Sequence, residues 1–173
     1  KGRWIWIEIN LYEAKLIQDT TVESANPGTN NAFGSTAFIG HTPEFGEQWL
    51  YTRMDFSKMP ELADRIIRKV SVHLPTYNQM AQEMEALRLP RRFCSFGSIW
   101  ENKIEGAEMI ACSVKESNYQ NIDLTGLMAD ARTGYPTRNE GILLKPRKRK
   151  GGFSAIATGD GYYAPQIYEI NYN

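Results

Sequence analysis

Residues 48–74, QWLYTRMDFSKMPELADRIIRKVSVHL, constrain the fold most, because they read as two strands joined by a turn. Leu50, Thr52, Met54 and Phe56 alternate with Trp49, Tyr51, Arg53 and Asp55, the period of two of a half-buried strand. Ile66, Val70, Val72 and Leu74 then fall on one side, and Ile67, Lys69, Ser71 and His73 on the other. Between the two runs Pro60 removes a ladder donor and breaks the strand. The apolar faces of the two strands are expected to meet.

Alternation recurs along the chain. Ile5, Ile7, Ile9 and Leu11 oppose Trp4, Trp6, Glu8 and Asn10 within residues 1–16, which predicts a first strand. Trp4 and Trp6 share a face, where they either stack on the apolar C–H face of a sugar or cover the sandwich. Residues 17–40 read as a short strand, a polar loop dense in Asn, Pro, Gly and Thr, and a strand around residues 36–39. Met80, Met84 and Leu87 recur at helical spacing, predicting a helix over residues 78–89 with Asn78 as its cap and Pro90 beyond its end. Strands are expected again at 93–99 and 109–114, then at 141–144 and 153–157 with the basic run KPRKRK of residues 145–150 as a hairpin tip. A Gly-Asp-Gly turn at 159–161 and a last strand over 166–172 close the chain.

Two of these stretches, with others between, resemble one family. "YTRMDFSKMP" followed by "IIRKVSVHL" is similar to the centre of DNRLRE-family domains, with Arg53, Asp55, Phe56, Ser57 and Pro60 holding the pattern and Met54 departing from the usual Phe or Leu. "NIDLTGLMADARTGYPTRNEGILLK" resembles a second family stretch through Asp123, Leu124, Thr125, a helical turn, Gly134, Asn139, Gly141 and Ile142 to Leu144, with Ala131 and Arg132 where many members carry Trp. Asp19, Pro27, Asn30, Asn31, Gly34, Ser35 and Gly40 follow the family's opening, and Trp100 and Asn102 its "TWN" segment. The resemblance covers about residues 19–172 and implies a β-sandwich related to carbohydrate-binding modules. The division it implies is an N-terminal strand or extension over 1–18 and a module over 19–173. The fold class expected is therefore all-β, an antiparallel β-sandwich of jelly-roll type with one or two short helices.

Composition limits the function. Twenty Lys plus Arg balance twenty Asp plus Glu, so net charge offers no general attraction to nucleic acid or to an anionic membrane. No apolar run reaches the roughly 20 residues of a membrane span. The start at Lys1 reads as a module excised from a longer protein with neighbouring domains, and the lack of an Asn-x-Ser/Thr sequon fits a bacterial source. Cys94 and Cys112 are either bridged, if the chain is secreted, or two buried thiols.

Catalytic patterns are missing. His41 and His73 lie in no H-E-x-x-H or Cys/His arrangement, no G-x-S-x-G elbow occurs, and the glycines at 28–34 lack the Gly-Lys-Ser/Thr ending of a phosphate loop. The expectation is a non-catalytic, cofactor-free module of a secreted or cell-surface protein that binds polysaccharide. Asp19 and Asp160 are read equally well as donors to a structural calcium and as turn and cap residues, so no metal is assigned. Candidate stacking residues are Trp4, Trp6, Trp49, Tyr51, Tyr162 and Tyr163, with Arg147, Lys148 and Arg149 for an acidic glycan. The competing expectation is a structural or adhesive spacer of a large surface, toxin-like or phage-tail-like protein that meets protein instead of glycan.

Overall fold

The computed structural model describes residues 3–8, 17–55, 59–77, 83–112, 119–137, 139–147, 152–160 and 166–173, with the backbone alone for 3–8, 111–112 and 119–120. Its strands are β1 (Arg3–Glu8), β2 (Ile17–Glu23), β3 (Thr36–Thr42), β4 (Gly46–Met54), β5 (Ile67–Pro75), β6 (Met84–Arg88), β7 (Glu108–Cys112), β8 (Tyr119–Asp123), β9 (Ile142–Pro146), β10 (Phe153–Ala157) and β11 (Ile167–Tyr172). One four-residue helix, α1, spans Thr125–Met128, and Pro60–Leu62 and Trp100–Asn102 form single 3-10 turns. The strands make two antiparallel sheets. One runs β1-β11-β5-β8, and the other runs β10-β3-β4-β9-β6-β7 with β2 added beside β4. This is an all-β, sandwich-like fold, with the β-rich content expected from the alternation and the sandwich expected from the family resemblance.

The two strands of residues 48–74 lie in different sheets, and their apolar faces meet across the core. Leu50 and Met54 of β4 share one cluster with Ile67, Val70, Val72 and Leu74 of β5, joined by Ile39, Ile142, Leu144, Ile156, Tyr168 and Ile170. Ile67 belongs inside, against the strict alternation. Tyr172 pairs with Ile67 while Asn171 pairs with Lys69, so Arg68 is an extra residue that reverses the parity of β5 at that point.

Four expectations are corrected. No helix forms over the described part of 78–89, since residues 84–88 are β6, clamped between β7 and β9. Met84 and Ala86 face the main core while Leu87 joins the second cluster on the far side of the sheet. Two apolar faces in one short strand thus imitate helical spacing. Residues 93–99 form turns, not a strand, and fold over that far side. The basic run is no hairpin tip, because β9 pairs with β4 and β6, and β10 with β3. Cys94 is exposed with a free thiol, which removes both the bridge to Cys112 and the burial expected of it.

The far face of β4 carries a second, smaller core. Trp49 and Tyr51 pack with Val22, Leu87, Leu89, Phe93, Ile104 and Leu143 beneath the segment that links β6 to β7. The Tyr51 hydroxyl accepts a hydrogen bond from the Ile104 amide (2.9 Å) and donates to the Ile104 carbonyl (3.1 Å), and burial pushes it up to about 12. A single side chain therefore satisfies both backbone groups of a buried residue of the covering loop.

The motifs quoted from sequence have local roles. Asp123 Oδ1 accepts from the Thr125 amide (2.9 Å) and hydroxyl (2.6 Å), and Thr125 Oγ1 accepts from the Val70 amide (3.0 Å), which ties the start of α1 to β5. Asn139 Nδ2 donates to the Met54 carbonyl (3.1 Å). Gly141 has φ of 100°, and a Cβ there would lie 2.8 Å from the Thr52 carbonyl oxygen, so only glycine lets the chain cross β4 so closely. β1 pairs with β11 from Arg3↔Tyr172 to Glu8↔Ile167, and the division expected after residue 18 falls inside β2.

Candidate functional site

On the far face of β4 the side chains at 49, 51 and 53 point the same way, and the covering segment buries the first two. Arg53 lies where that cover ends. Its side chain is almost fully buried, with Nη2 donating to Gln18 Oε1 and to Asp55 Oδ2, both at 3.2 Å. Arg92, at the start of the cover, donates to the same Gln18 oxygen at 3.1 Å, so one amide holds two guanidinium groups together. Burial, and then the charge of Arg92, push the Arg53 guanidinium down, while Asp55 opposes them.

These groups open into two adjoining hollows. The first, about 370 Å³, is lined by Arg53, Asp55, Arg92, Thr137 and Asn139 over an apolar floor that includes Met59 and Leu62. The second, about 430 Å³, shares Arg92 and continues along Gln18, Phe93, Cys94, Ser95 and Phe96. At its rim stand two rings that a soluble domain would be expected to hide. Phe33 is 79% exposed and Phe96 71%, with centroids 5.5 Å apart and planes tilted by 52°.

Their placement follows from one side chain. Asn30 Nδ2 donates to the carbonyls of Ser95 (2.7 Å) and Ser98 (2.9 Å), and its Oδ1 accepts from the Ala32 amide (3.2 Å). The polar loop after β2 is thereby stapled to the turn at 94–98, and Phe33 meets Phe96. Thr21 bridges Asn31 from below, which fixes the same loop to β2. The Phe pair thus stands beside adjoining hollows lined by two cations, a carboxylate, two amides and two hydroxyls, a set that packs on an apolar ring face and hydrogen-bonds its edge groups.

The residues expected from sequence fare differently. Trp49 (5% exposed) and Tyr51 (0%) are buried and offer no stacking surface. Trp49 lies against Trp100 (5.0 Å) with Lys145 Nζ 5.4 Å from its ring, and its Nε1 donates to Glu47 Oε1 (2.8 Å). Both faces of β4 are apolar, and alternation alone does not reveal a second cover. Arg147 is exposed and pairs with Glu83 at 3.3 Å, away from the Phe pair's hollows, while Lys145 pairs with Glu85 at 3.3 Å. The side chains of Trp4 and Trp6, and residues Lys148, Arg149, Tyr162 and Tyr163, lie outside the described residues. Phe33 and Phe96 were missed, although a lone aromatic in the polar loop of residues 24–35 was a readable sign.

Asp19, on β2, is engaged by protein. Its Oδ2 accepts from the Gly159 amide and from Gln166 Nε2 (3.2 Å). Burial pushes its carboxyl up to about 7, with Asp160 adding to the rise and the Gly159 and Gln166 donors opposing it. Among the described residues no three His, Cys, Asp or Glu side chains gather as metal ligands. No helix among them is long and apolar enough to cross a membrane. No protein-family model matches the chain, and no curated protein matches it.

Proposed function

We propose that this domain is a non-catalytic carbohydrate-binding module of a secreted or cell-surface bacterial protein, akin to the DNRLRE-family domains, and that it meets its polysaccharide through the Phe33–Phe96 face. The observation that carries this reading is the exposed ring pair, stapled by Asn30, beside hollows lined by Arg53, Arg92, Asp55, Thr137 and Asn139. A sugar residue presents apolar C–H faces and hydroxyl edges, and this face offers a partner for each. An acidic sugar would add a carboxylate for Arg92.

The test is retention of the domain on soluble and insoluble polysaccharides, neutral and acidic, in an affinity gel or by calorimetry. Phe33→Ala and Phe96→Ala are each expected to weaken binding about tenfold, the equivalent of about 1.4 kcal/mol for a lost ring contact. Arg92→Ala is expected to weaken acidic glycans more than neutral ones, with the difference shrinking at high salt.

A second reading rests on the same rings. Phe lacks the polar tip of Tyr or Trp, and adjacent bare rings also suit the apolar centre of a protein contact. On that reading the domain is a structural or adhesive spacer, retained by no glycan, and the Phe33→Ala substitution weakens a protein assembly instead.

A further inference from the structure

The loop that presents Phe33 is held on its other side by the turn that follows β10. Thr158, fully buried, donates through Oγ1 to the Gly34 carbonyl (2.6 Å) and through its amide to the Ser35 carbonyl (3.3 Å). Its neighbour Gly159 donates its amide to Asp19 Oδ2, and a Cβ at 159 would sit 3.1 Å from that oxygen, so turn and carboxyl are in close contact. Gln166 closes the network, with Nε2 donating to Asp19 and Oε1 accepting from Thr52 Oγ1 (3.2 Å). A continuous path thus leads from Asp19 through Gly159 and Thr158 to Gly34, the residue after Phe33.

We propose that Asp19 is a proton-controlled latch for the Phe33 loop: with the carboxyl protonated the 158–160 turn stays closed on Asp19 and pins Gly34 and Ser35, and ionisation favours its release. This regulation rests on the reading of Phe33 as part of the binding face, but the latch itself is a property of the free protein.

The sign follows from the surroundings of the carboxyl. Among the described residues the ionisable groups set against it are Asp160, in the turn itself, and Tyr168, from β11. Neither brings a positive charge. An ionised Asp19 in the closed state is therefore a buried anion near Asp160, whereas in an opened turn both carboxylates reach water. The closed state holds the proton more tightly, so closure is strongest below the ordinary carboxylate range and weakens as pH rises toward 7. Two amide donors on Asp19 keep the closed state accessible at neutral pH.

Amide hydrogen exchange of the ligand-free protein between pH 5 and 8, expressed as protection factors, tests this directly. Protection at Thr158 and Gly159, whose amides donate to Ser35 and Asp19, and at Gly34, whose amide closes the turn on the Asn31 carbonyl, is expected to fall with pH, by up to about tenfold per unit, the limit for one proton released on opening. Asp19→Asn is expected to flatten that slope. Thr158→Val, which leaves the carboxyl and the 158 amide in place and removes only the hydroxyl bond to the Gly34 carbonyl, is expected to keep the slope at residues 158 and 159 and to shrink it at Gly34. Protection that is flat with pH in the unaltered protein overturns the latch, and so does a slope at Gly34 that Thr158→Val leaves at full size. Since no glycan enters these measurements, failure of the latch is distinguished from failure of binding at Phe33, which the polysaccharide titration reads.

Discussion

Among the described residues Asp19 is a buried carboxyl with no cation set against it, and its cost is set by pH. Unfolding returns Asp19 from about 7 toward its ordinary 3.8, so the unfolded chain binds fewer protons between those values. Stability contributed by Asp19 is present in full below about pH 4, falls as pH rises, and is gone above about 7; at about 1.4 kcal/mol per unit the loss is on the order of 4 kcal/mol. Urea unfolding at pH 4.5, 6 and 8 is expected to show that decline, and Asp19→Asn to remove most of it. Tyr51 makes the opposite kind of contribution. Tyr51→Phe leaves the ring's packing on Phe93 but strips the buried Ile104 amide and carbonyl of their partner, and a loss of about 1–3 kcal/mol is expected in the same assay.

At the scale of elements, Gly141 is the hinge on which β9 reaches β4. Gly141→Ala meets both a left-handed φ and the Thr52 carbonyl, and a destabilisation of about 1–3 kcal/mol is expected from chemical denaturation, with β9 and the Asn139 side of the first hollow loosened together. Core positions at a period of two were legible from residues alone. Leu50, Met54, Val70 and Val72 announced themselves that way, while the turn at Asp123–Thr125 is expected through the family resemblance. What alternation misreads are elements with two buried faces or altered parity. β6 imitates a helix because Met84 and Leu87 serve opposite sides of one sheet, and Ile67 is misplaced because a bulge intervenes. The candidate face was harder to read, since Phe33 and Phe96 are 63 positions apart and the bonds that hold their segments together, from Asn30 and from the Glu101 amide to the Pro27 carbonyl, are invisible in sequence.

Over the whole molecule, the two sheets exchange support through their first strand. β1 forms the edge of the four-stranded sheet by pairing six residues with β11, and Ile17 and Gln18 pair with Met54 and Arg53 in the other. A chain beginning at residue 19 would lose both sets and uncover a β11 edge able to pair with other chains. Lower melting temperature and concentration-dependent association, measured by light scattering against residues 1–173, are the expected results; an unchanged melt would place β1 outside the cooperative unit.

The Asn30 staple also separates two jobs that proteins often merge. Its hydrogen bonds go to the backbone, to the carbonyls of Ser95 and Ser98 and the amide of Ala32, so the side chains at 33 and 96 can be exchanged without removing the bonds that position them. Randomising those two positions in a display library, with Asn30 left alone, would turn the domain into a scaffold whose recognition is rewritten while its architecture is inherited.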